Sequence, residues 1–303
     1  MKFSGRDRIQ LLSYQYHINK LQLKTARLSA TEQWQLDYCK SPYLFLEEKN
    51  TILERLSDIF TNSLDIDAKG EISFKPLIEN EHRLARIFTE VFFEAQGKGI
   101  LDGGPNKQSL EQINAYYKNG EPIGIKMFDE SFPNLSDNSL VKFSQKEFIN
   151  DMHQLGRFRI SPASFYKQGS LLKAIKDLEM NRNYRIKAIK EAIRGEQFVD
   201  FNAGKAEIIN GIIPIEIIMN DYFLFSSCKN ISRRMPTDFD ANSALIIKDK
   251  KQFIERFKNK LLTKHPGWEF IEKDVYYYDP YNDLPTEFNQ EFCKHLSYPP
   301  VSG

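Results

Sequence analysis

The stretch SLVKFSQKEFINDMHQLGRFRI, Ser139–Ile160, carries the pattern that decides the fold class. Ser139–Ser144 is rich in strand-forming residues and predicts a short β-strand. Gln145–Leu155 has helical periodicity and predicts a helix that ends at Gly156, because glycine is common just after a helix. Arg157–Ile160 alternates charged and apolar residues, which predicts a second strand. A strand, a helix and a second strand so close together are typical of a mixed α and β protein.

Further short elements are predicted on the C-terminal side of residue 105. The predicted strands are Pro122–Phe128, Gln197–Phe201, Ile212–Met219, Tyr222–Ser227, Ala244–Ile247 and Val275–Tyr278. The predicted helices are Ser170–Arg185 and Asp249–Leu262. Strands and helices do not alternate regularly, so we predict an α+β fold rather than a doubly wound parallel sheet.

The N-terminal part, from Arg6 to Gln96, predicts helices. Ile9, Leu12, Tyr16 and Leu23 recur at helical spacing. Ser29 and Glu32 form a capping-box pattern, so a helix should begin there and run towards Cys39, before Pro42. Tyr43–Leu64 and Glu79–Gln96 each carry an apolar stripe that predicts a further helix.

Gly97–Pro105 is rich in glycine and favours a loop, where we place the boundary between two domains. Residues 1–104 would form a helical region. Residues 105–303 would form the α+β domain.

Composition limits the classes of function. Lys and Arg number 42 against 41 Asp and Glu, which leaves a formal charge of +1, so any phosphate-bearing partner must be held by a local basic patch. Cys39, Cys228 and Cys293 are far apart and suggest neither a disulfide framework nor a zinc site. The chain starts without a signal-peptide pattern and has no apolar run of membrane-spanning length. We therefore expect a cytoplasmic protein.

Common catalytic and cofactor motifs are missing from the sequence. It has no GxGxxG, no GxSxG and no HExxH, and its five histidines are widely separated. A classical dinucleotide fold, an esterase and a zinc enzyme are thus disfavoured, and we predict no metal.

One group of residues does suggest chemistry. In an extended segment Arg157 and Arg159 would point to the same side, where they could hold a pyrophosphate or a nucleic-acid backbone between them. The alternative is that each arginine pairs with a surface carboxylate. Ser161, Ser164 and Tyr166 follow directly and could donate hydroxyl hydrogen bonds or stack on a base. Their alternative role is to cap a turn and anchor the core.

Two more stretches leave alternatives open. The loop after Ser226 contains Arg233 and Arg234 followed by Asp238, which could be internal ion pairs or a rim that contacts substrate. In VYYYDPYND, Val275–Asp283, alternate tyrosines of a strand would face opposite sides, so at least one should be exposed.

With these stretches in view, the C-terminal two-thirds of the chain resembles a bacterial family of ADP-ribosyltransferase-like proteins that occur in toxin and phage-defence loci. The resemblance rests on two blocks. They are LVKFSQKEFINDMHQLGRFRISPASFYKQGSLLKAIKDLE at Leu140–Glu179 and DYFLFSSCKNISRRMPTDFDANSALIIKDKKQFIERF at Asp221–Phe257.

The resemblance implies that residues 105–303 form an ADP-ribosyltransferase-like domain with NAD as the substrate. Lys142 would occupy the polar position of the first strand, and Ser161, Ser164 and Tyr166 the second polar region. Arg157 or Arg159 would serve the pyrophosphate. A toxin or antiviral effector of this kind modifies a macromolecule, here plausibly nucleic acid. An antitoxin or other protein partner could bind the N-terminal helices.

The chain departs from the family pattern at the catalytic glutamate, which would stabilise the charge that develops as nicotinamide leaves. Related sequences place it in a strand after a motif like FCKHLSY, Phe292–Tyr298, where this sequence continues as PPVSG. Either the chain is shortened, or Glu287, Glu291 or another carboxylate substitutes, or the protein binds without catalysing. The second class of function is therefore a non-catalytic protein-interaction module of a bacterial defence system.

Overall fold

The computed structural model describes most of the chain, in several stretches. They are residues 3–74, 82–101, 113–114, 116–118, 120–128, 132–167, 180–201, 204–283 and 293–295. Helices and strands are mixed along them, in agreement with the predicted α+β class. Among the described helices, none has the length and apolar content needed to cross a membrane.

The described N-terminal part contains a short two-stranded sheet at residues 64–74, which the sequence did not predict, and four helices. The helices are α1 (Gly5–Gln22), α2 (Ala30–Lys40), α3 (Lys49–Asn62) and α4 (His82–Gly97). The predicted capping box of α2 is present, with the Ser29 hydroxyl accepting from the Glu32 amide and the Glu32 carboxylate accepting from the Ser29 amide. The helix predicted from Tyr43 begins only at Lys49, because the segment before it forms tight turns whose side chains are buried.

Helix α1 has apolar residues on two opposite sides. The side packed on the core carries Gln10, Tyr14 and Leu21, which are buried. The stripe recognised in the sequence faces outward instead. Its residues are Ile9, Leu12, Tyr16 and Leu23, with 70%, 70%, 69% and 81% of their surface exposed. The helical spacing therefore predicted the helix correctly, but it did not show which side would be buried.

The C-terminal part contains short helices and strand pairs. The helices are α5 (Ile123–Phe128), α6 (Lys146–Leu155), α7 (Ile189–Ile193), α8 (Met235–Asp238) and α9 (Lys250–Lys264), and a 3-10 turn spans Ala163–Lys167.

Each sheet of the described residues has two strands. The antiparallel pairs are β1 (Leu64–Ile66) with β2 (Ile72–Phe74), β3 (Leu140–Ser144) with β10 (Ser243–Ile247), β4 (Ser161–Pro162) with β9 (Phe223–Leu224), β5 (Asn181–Lys187) with β8 (Ile212–Ile218), and β6 (Phe198–Phe201) with β7 (Gly204–Glu207). β11 (Tyr276–Tyr278) pairs in parallel with β12 (Cys293–His295).

Three sequence predictions are wrong in this part. The strand predicted at Arg157–Ile160 is extended backbone outside any strand pair, because pairing begins only at Ser161. Pro122–Phe128 was predicted as a strand but contains helix α5, whose buried residues Gly124, Ile125 and Phe128 follow helical spacing. Ser170–Arg185 was predicted as a helix, yet β5 begins at Asn181. Along β5, Arg182 and Tyr184 are buried while Asn183 between them is exposed, which is the alternation of a strand. Residues 168–179 lie outside the described part of the chain.

The predicted domain boundary falls after α4, which ends at Gly97. Most of the loop that follows lies outside the described residues, so the boundary stays a prediction. The helical core nevertheless includes side chains from the C-terminal part, since Ile189, Ile212 and Tyr281 pack in the same buried cluster as α1 to α4.

Candidate phosphate- and base-binding surface

The segment Arg157–Ile160 leaves α6 in an extended conformation. Gly156 ends the helix in the left-handed region, with φ of 60°, as the sequence predicts. The two arginines are exposed, whereas Phe158 and Ile160 are partly buried. The predicted alternation is therefore present, although strand pairing begins only at Ser161.

Phe158 anchors this segment on a layer of aromatic side chains between β9 and α9. Its ring lies 5.7 Å from that of Phe225, 5.3 Å from that of Phe253 and 5.8 Å from that of Phe257, measured between centroids. These four rings are called the aromatic layer below. Since Phe158 is part of the aromatic layer, its neighbours Arg157 and Arg159 lie at the edge of that layer.

Lys142 lies on β3 and reaches the same layer. Its Nζ donates to the carbonyl oxygen of Ser226 at 2.7 Å and lies 4.9 Å from the centre of the Phe225 ring. The lysine thus ties β3 to the segment after β9. These contacts place Lys142 beside the aromatic layer.

Ser161 and Ser164 have local structural roles. Ser161 is buried in β4, opposite Leu224 of β9. The Ser164 hydroxyl donates to Asp221 at 2.7 Å, and its backbone amide donates to the same carboxylate at 3.1 Å. The hydroxyl hydrogen bond from Ser164, helped by the amides, lowers the pKa of Asp221. The geometry of Ser164 favours the alternative role of these serines, which is to cap a turn.

Arg159 lies against an aromatic side chain of the 3-10 turn. Its guanidinium carbon is 5.1 Å from the centre of the Phe165 ring, and Phe165 contacts Tyr166 edge to face at 5.7 Å. A cation beside two rings is suited to a ligand that carries both a phosphate and a base.

Neither Arg157 nor Arg159 forms an ion pair with any residue that the structure describes. Other exposed arginines do so, for example Arg194 with Glu191 and Glu196. The two side chains are exposed on either side of Phe158 and carry like charges, and an anion between them would relieve their repulsion. Glu291, the proposed catalytic carboxylate, lies outside the described residues.

The sequence reasoning missed an exposed stack of rings beside β4. Phe223, which is opposite Pro162 in the β4–β9 pair, stacks on Trp268 at 4.8 Å with an interplanar angle of 24°. Trp268 in turn stacks on His265 at 4.4 Å. Phe223 is 53% exposed and Trp268 is 38% exposed. The available signal was an aromatic residue, Trp268, four positions after the last residue of a basic helix.

The second arginine-containing loop is structural. Arg234 is buried, donates from Nε to Asp238 at 2.7 Å, and donates from Nη1 to the carbonyl oxygens of Thr61 and Leu64 at 2.8 and 2.7 Å. It therefore binds one carbonyl in the last turn of α3 and one at the start of β1. A cavity of about 10 Å³, which is about the size of one water molecule, lies beside it.

A buried cluster of charged residues joins the N-terminal helices to residues 279–283 of the C-terminal part. Arg55 donates to both oxygens of Asp279 at 2.7 and 2.8 Å. Glu47 accepts from Arg185 at 2.7 Å and from the Tyr281 hydroxyl at 3.0 Å. Because these carboxylates are paired, the cluster is suited to holding the two parts of the chain together.

Glu90 and Lys187 belong to the same cluster. Glu90 accepts from Tyr43 and from Arg86, each at 2.8 Å. Lys187 donates to Asn282 at 2.5 Å and lies 4.2 Å from the centre of the Tyr43 ring, and burial lowers its pKa. In the described stretches of the chain, no three histidine, cysteine or acidic side chains are grouped to hold a metal ion.

Comparisons with known protein families, with curated proteins and with solved structures found no match to this chain.

Proposed function

We propose that this chain is an ADP-ribosyltransferase-like effector that binds NAD at the surface formed by Arg157, Arg159 and the 3-10 turn. The observation that carries the proposal is the pair of exposed arginines without ion-pair partners among the described residues. Arginine binds phosphate oxygens with two parallel hydrogen bonds, so two neighbouring arginines match a pyrophosphate.

The neighbouring residues supply the rest of the recognition. Phe165 lies beside Arg159 and Tyr166 contacts Phe165, so both could offer rings to the adenine or nicotinamide. Lys142 and Ser164 act through their contacts with Ser226 and Asp221, which position the strand ends around the site. NAD is thus the proposed substrate, and the resemblance of the two sequence blocks to ADP-ribosyltransferases supports the same assignment.

The proposed reaction breaks the bond between nicotinamide and C1 of its ribose. Nicotinamide leaves with the bonding electron pair and becomes neutral, while positive charge develops on the ribose. A hydroxyl or ring nitrogen of the acceptor then bonds to the same carbon, and its proton passes to water. A carboxylate beside the ribose would stabilise the developing charge, and Glu291 is the proposed residue for this role.

Isothermal titration calorimetry with NAD tests the binding step. We expect the wild-type chain to bind and the Arg157→Ala, Arg159→Ala double variant to bind about 10- to 100-fold more weakly, because two charge-assisted contacts are lost. The matched control removes two other exposed cations, Arg194→Ala and Lys205→Ala, and should leave the affinity unchanged. Incubation with labelled NAD and cell extract then tests for transfer. Absence of NAD binding by the wild-type chain, or an equal loss in the control, would contradict the proposal.

The outward stripe of α1 favours a second candidate, a non-catalytic protein-interaction module. Ile9, Leu12 and Tyr16 are each about 70% exposed on one side of the helix. Exposed apolar stripes of this kind are commonly covered by a partner. Calorimetry with NAD distinguishes this candidate from the first, because a pure interaction module should show no heat of binding.

A further inference from the structure

Helix α9 carries a row of cations that leads to the exposed ring stack. Arg256, Lys260 and Lys264 are four residues apart, so they form one ridge along the helix with a rise of about 6 Å between neighbours. All three side chains are exposed, and none forms an ion pair with the residues that the structure describes. Glu255 projects from a different side of the helix than this ridge.

The orientation of the ridge is set by the aromatic layer. Phe253 and Phe257 of α9 pack on Phe225, the residue directly after β9, with ring centroids 6.1 and 5.5 Å apart. On an α-helix, Arg256 and Lys260 lie next to this packed side, not opposite to it. The ridge therefore runs along the border between the helix and the aromatic layer.

The ridge ends at the stacked rings. Lys264 is the last residue of α9, and His265 directly after it stacks on Trp268. Phe223 covers Trp268 from the side of β9. If Phe223 and Trp268 served only to pack the core, they would be buried, yet more than a third of the surface of each side chain is exposed.

We propose that this surface binds single-stranded nucleic acid, with phosphates along the Arg256, Lys260 and Lys264 ridge and a base against the Trp268 and Phe223 pair. Regularly spaced cations next to an exposed aromatic platform are the two features that recognise a flexible phosphate backbone with unpaired bases. A duplex would offer its phosphates to the ridge but no free base to the rings. The inference rests on the proposed function in one respect, because it makes the single-stranded nucleic acid the acceptor for ADP-ribose.

Fluorescence anisotropy with a labelled 16-nucleotide single-stranded RNA of mixed sequence tests the surface. We expect Trp268→Leu, which keeps an apolar cover over Phe223, to weaken binding roughly tenfold while the salt dependence stays the same. We expect Arg256→Gln, Lys260→Gln, Lys264→Gln to weaken binding and to reduce the slope of log affinity against log salt by about two, since about 0.7 counterion is released per contact.

The matched control replaces three exposed lysines on other elements, Lys69, Lys126 and Lys190, by glutamine. It should keep the wild-type affinity and slope. Binding of the corresponding duplex as tight as that of the single strand, an unchanged affinity in Trp268→Leu, or an equal loss in the control would each overturn the inference. NAD titration of Trp268→Leu separates the two proposals. If the chain binds the single-stranded RNA but not NAD, the proposed function alone is contradicted. If it binds NAD but not the RNA, this inference alone is contradicted.

Discussion

Gly124 shows how one small residue sets the distance between two elements. A Cβ atom at this position would lie 1.8 Å from the backbone carbonyl oxygen of Arg233, just before α8. No flexible side chain can move aside there, because the obstacle is backbone. The residue is therefore required by close packing between α5 and α8.

Gly124→Ala should lower the free energy of unfolding by about 2 kcal/mol or more, because the clash forces α5 away from α8. Gly5→Ala is the control, since a Cβ at Gly5 would meet no atom within 4 Å, and it should be neutral or slightly stabilising. Urea denaturation of the two variants measures both values. A change below about 0.5 kcal/mol in Gly124→Ala would show that the two elements are not packed in this way.

Sequence patterns located most elements but did not decide their packing. The Ser29 and Glu32 capping box and Gly156 mark their helix ends correctly, because these signals depend on backbone groups a few residues away. The buried side of α1 was not predictable from its outward stripe. That side combines core contacts with polar ones, since Gln10 and Tyr14 both bond to Glu94 of α4, 80 or more residues away.

The candidate site was predicted only in part for the same reason. Alternation around Phe158 correctly placed Arg157 and Arg159 on the exposed side, because strand periodicity is local. The stack of Phe223 on Trp268 joins residues that are distant in sequence, and no spacing rule connects them. Likewise, the capping of Ser164 by Asp221 depends on a β4–β9 pairing that the sequence does not reveal.

At the scale of the whole molecule, buried ionic contacts join the N-terminal helices to the C-terminal part. Arg234 binds the end of α3, and Arg55 binds Asp279. Buried charges in such contacts are costly to separate from their partners. We therefore expect the helical region and the α+β part to unfold in one cooperative transition.

Asp279→Asn should lower the free energy of unfolding by about 3 to 5 kcal/mol, because it leaves the buried Arg55 guanidinium without its counter-charge. Burial raises the pKa of Asp279, but the Arg55 charge and the hydrogen bonds from Asn282 and Arg55 outweigh this and lower it overall. A lowered pKa means that the wild-type contribution is complete above the unfolded pKa of about 3.9 and is lost as pH falls through the folded value.

Urea denaturation between pH 7 and pH 2 measures this effect. The loss of stability in acid should be smaller in Asp279→Asn than in the wild type. Asp200→Asn is the control, because Asp200 is highly exposed and its contact with Lys205 is long, 3.9 Å. Two separate unfolding transitions in the wild type, or an unchanged acid profile in Asp279→Asn, would show that this contact does not join the two parts.

The central claim is that NAD lies against Arg157, Arg159 and the 3-10 turn, and photolabelling tests it most directly. The chain is irradiated with an azido-adenine analogue of NAD, digested with trypsin and mapped by mass spectrometry. We predict labelling of the peptide ISPASFYK, Ile160–Lys167, that is suppressed by an excess of unmodified NAD. Labelling confined to peptides of α1 to α4, or labelling that NAD does not suppress, would contradict the account.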